Sequence, residues 1–546
     1  MGKKHQQKDK YNSKYRIAVL DFETDPFSYG VEPAPFTGGV FDGECYRDFW
    51  GENCVSELVE YIKDNLADYT IYAHNGGKFD YFFMLKYFDE NIRIINGRLS
   101  KLSMLDGAIQ FRDSYNILPL PLSAYKKDEF DYDKNKKENR EKHKEEIRKY
   151  QKNDCVYLYD WVKKFVERFG QKLTVSGAAF NELKKTDYNP RSTFEEYDNI
   201  FRPFYFGGRV QTFELGHIKG NHEFYDINSA YPYAMLFKHP YGDKYLEKLR
   251  IPDSDNGAYF AKIKAVSRGA LPLRDETGKL QFYNDDLERE YWVTGWEIIA
   301  GLKTNTLDIK KVIRVFEHTQ RSHFKSFVDK FYQEKLAAKK AGDSDSELHS
   351  KLMLNSCYGK FGQDPRKYKD YILTDSTSVP NEFVNKSEQI EGEDYWELYS
   401  EHETGVNIWR IAAPSDRYYN VATAASITGF VRAYLWEALC KVDRPIYCDT
   451  DSIISHKFKG EIGDELGQWS LECHLDDIYI GGRKFYAVRD SNKKTYKTAC
   501  KGARLTQEQI ISVIKTGTGF EWKKSAPSYS IKYGARFLKR KITRQF

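Results

Sequence analysis

Carboxylates recur in this sequence at spacings that bring them together. Asp21-Phe22-Glu23 closes an apolar run, and in a strand the side chains at i and i+2 share one face. Two carboxylates that close repel unless a cation lies between them, and hard oxygen ligands suit Mg²⁺ or Mn²⁺. A strand ending in an exposed acidic turn would explain this pair alone. Asp80 and Asp154 extend it. Asp80 follows Asn75-Gly76-Gly77-Lys78-Phe79, and Asp154 lies four residues after Tyr150, on one face of a regular helix. The ordered set Asp21, Glu23, Asp80 and Asp154 suits two metal ions that activate a water against a phosphodiester, with Tyr150 orienting that water.

A second set is spread over the rest of the chain. Tyr225-Asp226-Ile227-Asn228-Ser229-Ala230-Tyr231-Pro232 places a carboxylate at a strand end, with a tyrosine five residues later. Tyr447-Cys448-Asp449-Thr450-Asp451-Ser452 repeats the i, i+2 carboxylates between two apolar arms. Asp226, Asp449 and Asp451 together could hold two metals for phosphoryl transfer, one acidifying a 3′-hydroxyl and one holding a triphosphate. Between them, Lys351, Asn355 and Tyr358 fall at i, i+4 and i+7 and share a helix face. Lysine meets phosphate as a point charge, tyrosine offers a base a flat surface, and Gly359 permits close approach. An amphipathic helix and an acidic hairpin tip are the plain alternatives for these two motifs taken singly.

The elements that must position these groups read as follows. Strands at 15–20 and 70–73, with helices at 58–66 and 80–88, imply an α/β first domain. Residues 126–152 are densely charged, and the second half reads as an exposed helix leading into 150–165. A proline-bearing polar stretch at 188–193 is the candidate boundary. A short strand at 222–225 precedes Asp226, and 251–305 mixes strands and turns. Helices at 321–340 and 347–358, joined by a turn at 342–346, imply an antiparallel helical hairpin. Residues 364–410 are polar and read as an insertion. A helix at 423–442 precedes a strand–turn–strand at 444–455, and the last forty residues are basic.

Composition sets the outer limits. The 546 residues allow about 3 to 4 domains. Hydrophobic residues are 40% and charged residues 30%, which argues against a disordered chain. No apolar run is long enough for a membrane span, and the lysine-rich N-terminus lacks the apolar stretch of a signal peptide. Eight cysteines without a CxxC pair imply free thiols in a reducing compartment. With 85 basic and 80 acidic residues the net charge of +5 does not by itself indicate nucleic acid. The 41 Tyr and 35 Phe suit base stacking, or simply large aromatic cores.

Taken in order, these motifs resemble those of family B DNA polymerases, most of all the protein-primed branch of small Bacillus phages and linear plasmids. Asp21 to Glu23, Asn75 to Asp80 and Tyr150 to Asp154 resemble three exonuclease motifs. Tyr205-Phe206-Gly207-Gly208 resembles the template-contacting link between the two activities. Asp226 to Pro232, Lys351 to Gly359 and Tyr447 to Ser452 resemble three polymerase motifs. The resemblance implies an α/β plus α+β fold. A ribonuclease-H-like 3′–5′ exonuclease domain (1–190) precedes a right-hand polymerase with a palm (191–240 and 413–505), fingers (321–362) and thumb (506–546). Two insertions, 241–320 and 363–412, would serve terminal-protein contact and strand displacement. Metal ligands would be Asp21, Glu23, Asp80 and Asp154 at one site and Asp226, Asp449 and Asp451 at the other, with two Mg²⁺ or Mn²⁺ each. Tyr150 and Lys127 would assist the exonuclease. Ser229, Tyr231, Lys351, Asn355 and Tyr358 would bind the nucleotide, Tyr231 blocking a ribose 2′-hydroxyl. Thr24, Asn75, Phe79, Tyr205, Gly207, Gly208, Arg432, Lys484 and Tyr486 would contact DNA; Lys494-Thr495-Tyr496 fits the same pattern as Lys484-Phe485-Tyr486. Partners would be primer-template DNA, dNTPs and a terminal protein, with a monomeric enzyme in the host cytoplasm. The other reading is a metal-dependent 3′–5′ exonuclease whose C-terminal half only binds DNA.

Overall fold

The computed structural model describes residues 15–124, 128–375, 396–401, 405–413 and 419–544. These divide into two compact units. The first takes the described residues of 1–178, 366–415 and 523–538, and the second takes those of 179–365, 416–522 and 539–546.

The first unit is built on a ten-stranded sheet. At its centre Ile17–Thr24 runs parallel to Thr70–Ala73, and Thr70–Ala73 runs parallel to Ile109–Asp113. Ile17–Thr24 is apolar on both faces and buried except at Asp21, as a central strand covered on both sides must be. The antiparallel hairpin Pro35–Phe41 and Tyr46–Trp50 extends one edge. The other edge continues through Arg98–Met104 and Asn91–Ile95 into Lys369–Thr374, Asn407–Ala412 and Glu397–Glu401. The polar stretch expected to stand apart as an insertion therefore supplies three strands to this sheet. Leu373, Val406, Ile408, Tyr529 and Ile531 share its hydrophobic core with Leu20, Ile71 and Phe111. Part of the expected C-terminal thumb, 523–538, likewise belongs here.

Several expected helices change. The one expected at 80–88 breaks into Asp80–Phe83 and a single 3-10 turn, Leu85–Tyr87. In the charged run beyond 126, Tyr132–Asn135 is a 3-10 turn that buries Asn135, and the helix expected from the second half begins at Lys144 and runs to Phe169.

In the second unit seven antiparallel strands form the central sheet. Gly216–Ile227 lies between Trp469–Gly482 and Ser452–Phe458, and Ser452–Phe458 pairs with Val442–Asp449. A separate four-stranded antiparallel sheet, Tyr245–Lys248, Tyr259–Arg268, Asn284–Thr294 and Leu307–His318, occupies the region read as strands and turns. Val421–Leu439 is apolar nearly all round and is buried nearly all round, as the sequence requires of a core helix. Lys325–Ala341 and Ser344–Ser356 make the expected hairpin. Gly342 caps the first helix in the left-handed region at φ +69°, and the Asp343 carboxylate accepts from the Ser346 amide at 3.1 Å. That cap starts the second helix three residues earlier than the sequence pattern does. All eight cysteines are free, and no helix among the described residues is long and apolar enough to cross a membrane.

A buried polar chain ties this unit together. Trp296 Nε1 donates to Ser426 Oγ at 2.9 Å, and Ser426 Oγ lies 2.9 Å from His239 Nδ1. His239 Nε2 donates to the Ala234 carbonyl at 2.8 Å. Only a neutral ring can accept at Nδ1 while donating at Nε2. Burial pushes the His239 pKa down to about 4, against about 6.5 unfolded. Its contribution is therefore complete above about pH 6.5 and drains away as pH falls towards 4. Urea unfolding at pH 7.5 and pH 5 is expected to show this histidine removing about 2 kcal/mol on acidification. His239→Gln should have a shallower pH dependence than the wild type.

Candidate active site

In the first unit the four carboxylates come from three elements. Asp21 and Glu23 sit on the central strand, paired opposite Gly39 and Thr37. Asp80 opens its short helix with 3% exposure, and its Oδ1 accepts from the Phe22 amide at 3.3 Å. Asp154 is buried on the long helix one turn beyond Tyr150. Burial first, then the charges of Asp21, Asp154, Glu23 and Asp80, push the neighbouring Cys155 thiol well above the usual value. Burial also raises Asp80 to about 7.

The tight turn that presents Asp80 depends on glycine. A Cβ on Gly77 would lie 2.2 Å from the Leu99 carbonyl oxygen, so no side chain fits there. Asn75 adopts φ +66°, and its side-chain oxygen accepts from Arg98 at 2.7 Å while Arg98 also pairs with Asp113 at 3.0 Å. Phe79 is half-buried and edge-on to Phe27, Phe83 and Tyr529. Thr24 is nearly buried, its hydroxyl donating to the Asp25 carbonyl at 3.1 Å.

Tyr150 stacks on Phe130 at 4.3 Å, and its hydroxyl lies 3.0 Å from that of Tyr132. Burial, that hydrogen bond and Asp154 hold the phenol far above its usual pKa. Tyr150 is thus a neutral hydroxyl that can orient a water and not a base. Lys127 lies outside the described residues. The neighbouring Asp128 is anchored to the long helix by Asn153 at 2.6 Å and Tyr157 at 3.0 Å.

Two positioning residues escape the sequence reading. Asn135 donates to Glu23 Oε2 at 2.9 Å, and Gln151 donates to the Asp21 carbonyl at 3.0 Å while accepting from Thr37 and Tyr46. Asn135 hides in a charged run that reads as solvated, and Gln151 in a helix whose apolar period is already satisfied.

In the second unit Asp226, one residue before the end of its strand, lies directly opposite Ser452. The turn at Asp449-Thr450-Asp451 is held by the Thr450 amide donating to the Arg209 carbonyl at 2.6 Å and the Ile227 amide donating to the Asp451 carbonyl at 2.8 Å. Gly208 lies against it: a Cβ there would be 2.8 Å from the Thr450 side chain. Three non-glycine residues around these carboxylates adopt left-handed backbone, Ser229 at φ +57°, Thr450 at +59° and Lys484 at +54°. Such conformations cost on the order of 1 kcal/mol or more each and cluster at functional sites. Burial, then Asp451 and Glu472, raise Asp226 to about 7, opposed by Lys497 and Lys351. Burial and then Asp449 raise Asp451 to about 6.

Lys484 Nζ reaches Asp449 Oδ1 at 3.1 Å, whereas Lys494 pairs with Asp476 at 3.3 Å. The structure therefore brings Lys484, and not Lys494, to the carboxylates. Tyr486 is largely buried behind them, edge-on to Tyr447 at 5.3 Å.

Lys351 and Asn355 are exposed on the second helix of the hairpin. That helix stops at Ser356, so Tyr358 does not continue their face. It sits in a 3-10 turn and stacks on Tyr231 at 4.3 Å with rings 6° from parallel. Tyr205 lies close enough to act on both phenols. Lys335, on the facing helix, was not singled out by sequence. Burial and then Lys351 lower its pKa, which marks two cations gathered on one side of the hairpin.

Arg432 departs from the expected DNA contact. It is 2% exposed, bonds Glu297 at 2.7 Å, and donates to the Phe206 and Gly207 carbonyls at 2.7 and 2.9 Å. It positions the 205–208 segment from inside the protein; a lone arginine in an apolar helix gives no sign of its burial.

Among the described residues no three His, Cys, Asp or Glu side chains form a closed metal cage. Mutual repulsion favours separation of like carboxylates. Both sets nonetheless fit hard divalent ions, being all-oxygen and at least partly buried.

The chain is similar to known proteins along most of its length. The model of DNA polymerase type B, organellar and viral, matches residues 119–445. A DNA-directed DNA polymerase of Enterobacteria phage PRD1 is 38% identical over 97% of this chain and 98% of its own length. This chain belongs to the family B DNA polymerases. A DNA polymerase of Bacillus phage PZA is 23% identical over 81% of this chain and 84% of its own. The phi29 DNA polymerase complexed with primer-template DNA shares the fold at a TM-score of 0.74 and 17% identity, covering 97% of this chain and all of that one. As a family B polymerase the protein carries out DNA-directed DNA synthesis.

Removing Arg432 alone strands Glu297 in the interior. Arg432→Ala is expected to cost about 3–5 kcal/mol in chemical denaturation, with the salt dependence of DNA binding unchanged. A stable variant with a shallower salt dependence would return Arg432 to the DNA.

Proposed function

We propose that this polymerase also proofreads, that each activity uses two divalent cations, and that synthesis starts on a protein hydroxyl. The observation that carries the proofreading reading is that Asp80 accepts from the Phe22 amide between Asp21 and Glu23 while Gln151, on the helix that bears Asp154, donates to the Asp21 carbonyl, a carboxylate set in one unit with Asp226, Asp449 and Asp451 in the other.

On this reading the first unit is the 3′–5′ exonuclease. Asp21, Glu23, Asp80 and Asp154 would hold Mg²⁺ or Mn²⁺, whose chemistry is to acidify water and neutralise charge on phosphate. Gln151 and Asn135 hold the strand carrying Asp21 and Glu23 in register. Tyr150, a neutral donor, orients the attacking water. Thr24, Asn75 and Phe79 grip a frayed 3′ end, with Lys127 assisting.

The second unit supplies palm, fingers and the helical part of the thumb. Asp226, Asp449 and Asp451 would hold the polymerase cations. Lys351, with Lys335 across the hairpin, meets the triphosphate. The Tyr231–Tyr358 stack, flanked by Ser229 and Asn355, forms the nucleotide pocket, and Tyr231 excludes a 2′-hydroxyl. Tyr205, Gly207 and Gly208 follow the template, and Lys484 and Tyr486 the primer. The four-stranded sheet within 241–320 would contact a terminal protein and DNA, and the strands within 363–412 would promote strand displacement. The enzyme would act as a monomer in the host cytoplasm. Protein priming is supported by the likeness to the phage polymerases.

The test is a gel of a 5′-labelled primer on a longer template with Mg²⁺ and a titration of dNTPs. Degradation at low dNTP should give way to extension at high dNTP. Asp21→Ala and Asp80→Ala should lose degradation by roughly 10²–10⁴-fold and keep extension; Asp451→Ala should do the reverse. Degradation that survives both first-unit variants would contradict the exonuclease reading.

Tyr231→Ala tests the pocket separately. Single-turnover incorporation is expected to show ribonucleotide discrimination falling roughly 10- to 200-fold, the range one pocket contact is worth.

A further inference from the structure

Arg209, which follows the Gly207-Gly208 pair, is 1% exposed. Its Nε and Nη2 both donate to Gln211 Oε1, and its Nη1 donates to the Gly269 carbonyl at 2.8 Å. The guanidinium lies between two rings, 4.2 Å from the Phe282 centroid and 4.5 Å from that of Trp436. Burial lowers its pKa to about 10, so it stays charged at neutral pH. A cation held inside a protein by neutral groups is costly to keep, and this one is held from several directions at once.

Its holders are themselves fixed. Trp436 Nε1 donates to the Thr304 and Thr306 hydroxyls at 3.2 and 3.1 Å. Gly269 turns at φ +92°, where a Cβ would lie 2.7 Å from the Trp436 ring, and its amide donates to the Tyr283 carbonyl at 2.7 Å. What Arg209 holds in turn is the start of Val210–Thr212, a three-residue strand at the edge of the seven-stranded sheet. That strand pairs only with the Tyr447–Asp449 stretch, Val210 opposite Asp449. The Arg209 carbonyl receives the Thr450 amide at 2.6 Å, and Thr450, at φ +59°, lies between Asp449 and Asp451. So short an edge strand has little of its own to resist displacement, and a shift of Arg209 is passed directly to the turn.

We infer that Arg209 is a positioning residue for DNA synthesis: its buried guanidinium fixes the carbonyl that holds the Thr450 amide, and thereby the aim of Asp449 and Asp451. The inference rests on the reading of those two carboxylates as cation ligands of the polymerase site. Lysine is no substitute, because a compact ammonium neither fills the slot between two rings nor presents a planar fork to Gln211 and Gly269.

The experiment is rapid-quench addition of one dNTP to a primer-template by the full chain, with Mg²⁺ and then dNTP titrated. Arg209→Lys is expected to slow the single-turnover step roughly 10- to 100-fold, as a misplacement of about 1 Å does, and to raise the Mg²⁺ concentration that gives half the maximal rate. The dNTP concentration that gives half the maximal rate should not change, nor should the burst amplitude with DNA in excess, which counts correctly folded enzyme. Phe282→Leu removes one ring and leaves the guanidinium. It should show the same split at roughly 2- to 5-fold, the worth of one such contact, and it carries the test if the lysine variant does not fold. Asp451→Asn, run alongside, separates the two ideas. Undiminished synthesis in that variant would overturn the carboxylate reading and the inference with it. Synthesis lost there, with wild-type rates and Mg²⁺ midpoints in Arg209→Lys and Phe282→Leu, would overturn the role of Arg209 alone. A loss confined to burst amplitude would do the same and leave Arg209 a packing residue.

Discussion

Like charges held close together are the constraint on which both units are built. Asp21 and Glu23 share a face of one strand, Asp449 and Asp451 flank the centre of a hairpin turn, and burial removes the water that would screen such pairs. Burial, with Asp451, Asp449 and Asp113 adding in turn, raises the carboxyls of Asp226, Asp451 and Asp80 to about 7, 6 and 7. The surrounding protein answers some of this charge. Lys484 reaches Asp449, and Lys351 and Lys497 act on Asp226. On the proposed reading, divalent cations meet these oxygen-rich sites and supply the phosphoryl chemistry.

Holding such a site open requires rigid support, and each unit provides it differently. In the first, a strand buried on both faces fixes Asp21 and Glu23, while Gln151 and Asn135 fasten its backbone and the Glu23 carboxylate. In the second, a hairpin turn is clamped from two sides by backbone hydrogen bonds, with Ser229, Thr450 and Lys484 in left-handed conformations beside it. Gly208 lets the chain press against Thr450, and Arg432 holds the carbonyls of Phe206 and Gly207 from beneath. The buried Arg432–Glu297 pair thus holds the 205–208 segment from inside the protein.

Local pattern carried much of this into the sequence. The Asp21–Glu23 strand, the Asp449–Asp451 hairpin and the helical hairpin bearing Lys351 are each written in short-range periodicity and turn chemistry. Long-range pairing is not. Nothing near 369–374 announces that it will pair with 91–95, or that Tyr529 and Ile531 will join a core begun at Leu20. The same limit hid Asn135, Gln151 and Lys335, whose roles come from what tertiary packing sets beside them. Tyr358 shows the opposite failure: the helical spacing was right to Asn355, but the helix ended at Ser356 and delivered the ring to Tyr231 through a turn.

The central claim is that these carboxylates destabilise the protein until a cation joins them. Thermal unfolding of the wild type and of Asp451→Asn, each in EDTA and in millimolar Mg²⁺ or Mn²⁺, tests it most directly. The isosteric amide removes one charge and little else. In EDTA the variant should melt above the wild type, and adding the metal should raise the wild type more than the variant, as binding to the folded state requires. A variant that melts below the wild type in EDTA, with both responding equally to metal, would contradict the account.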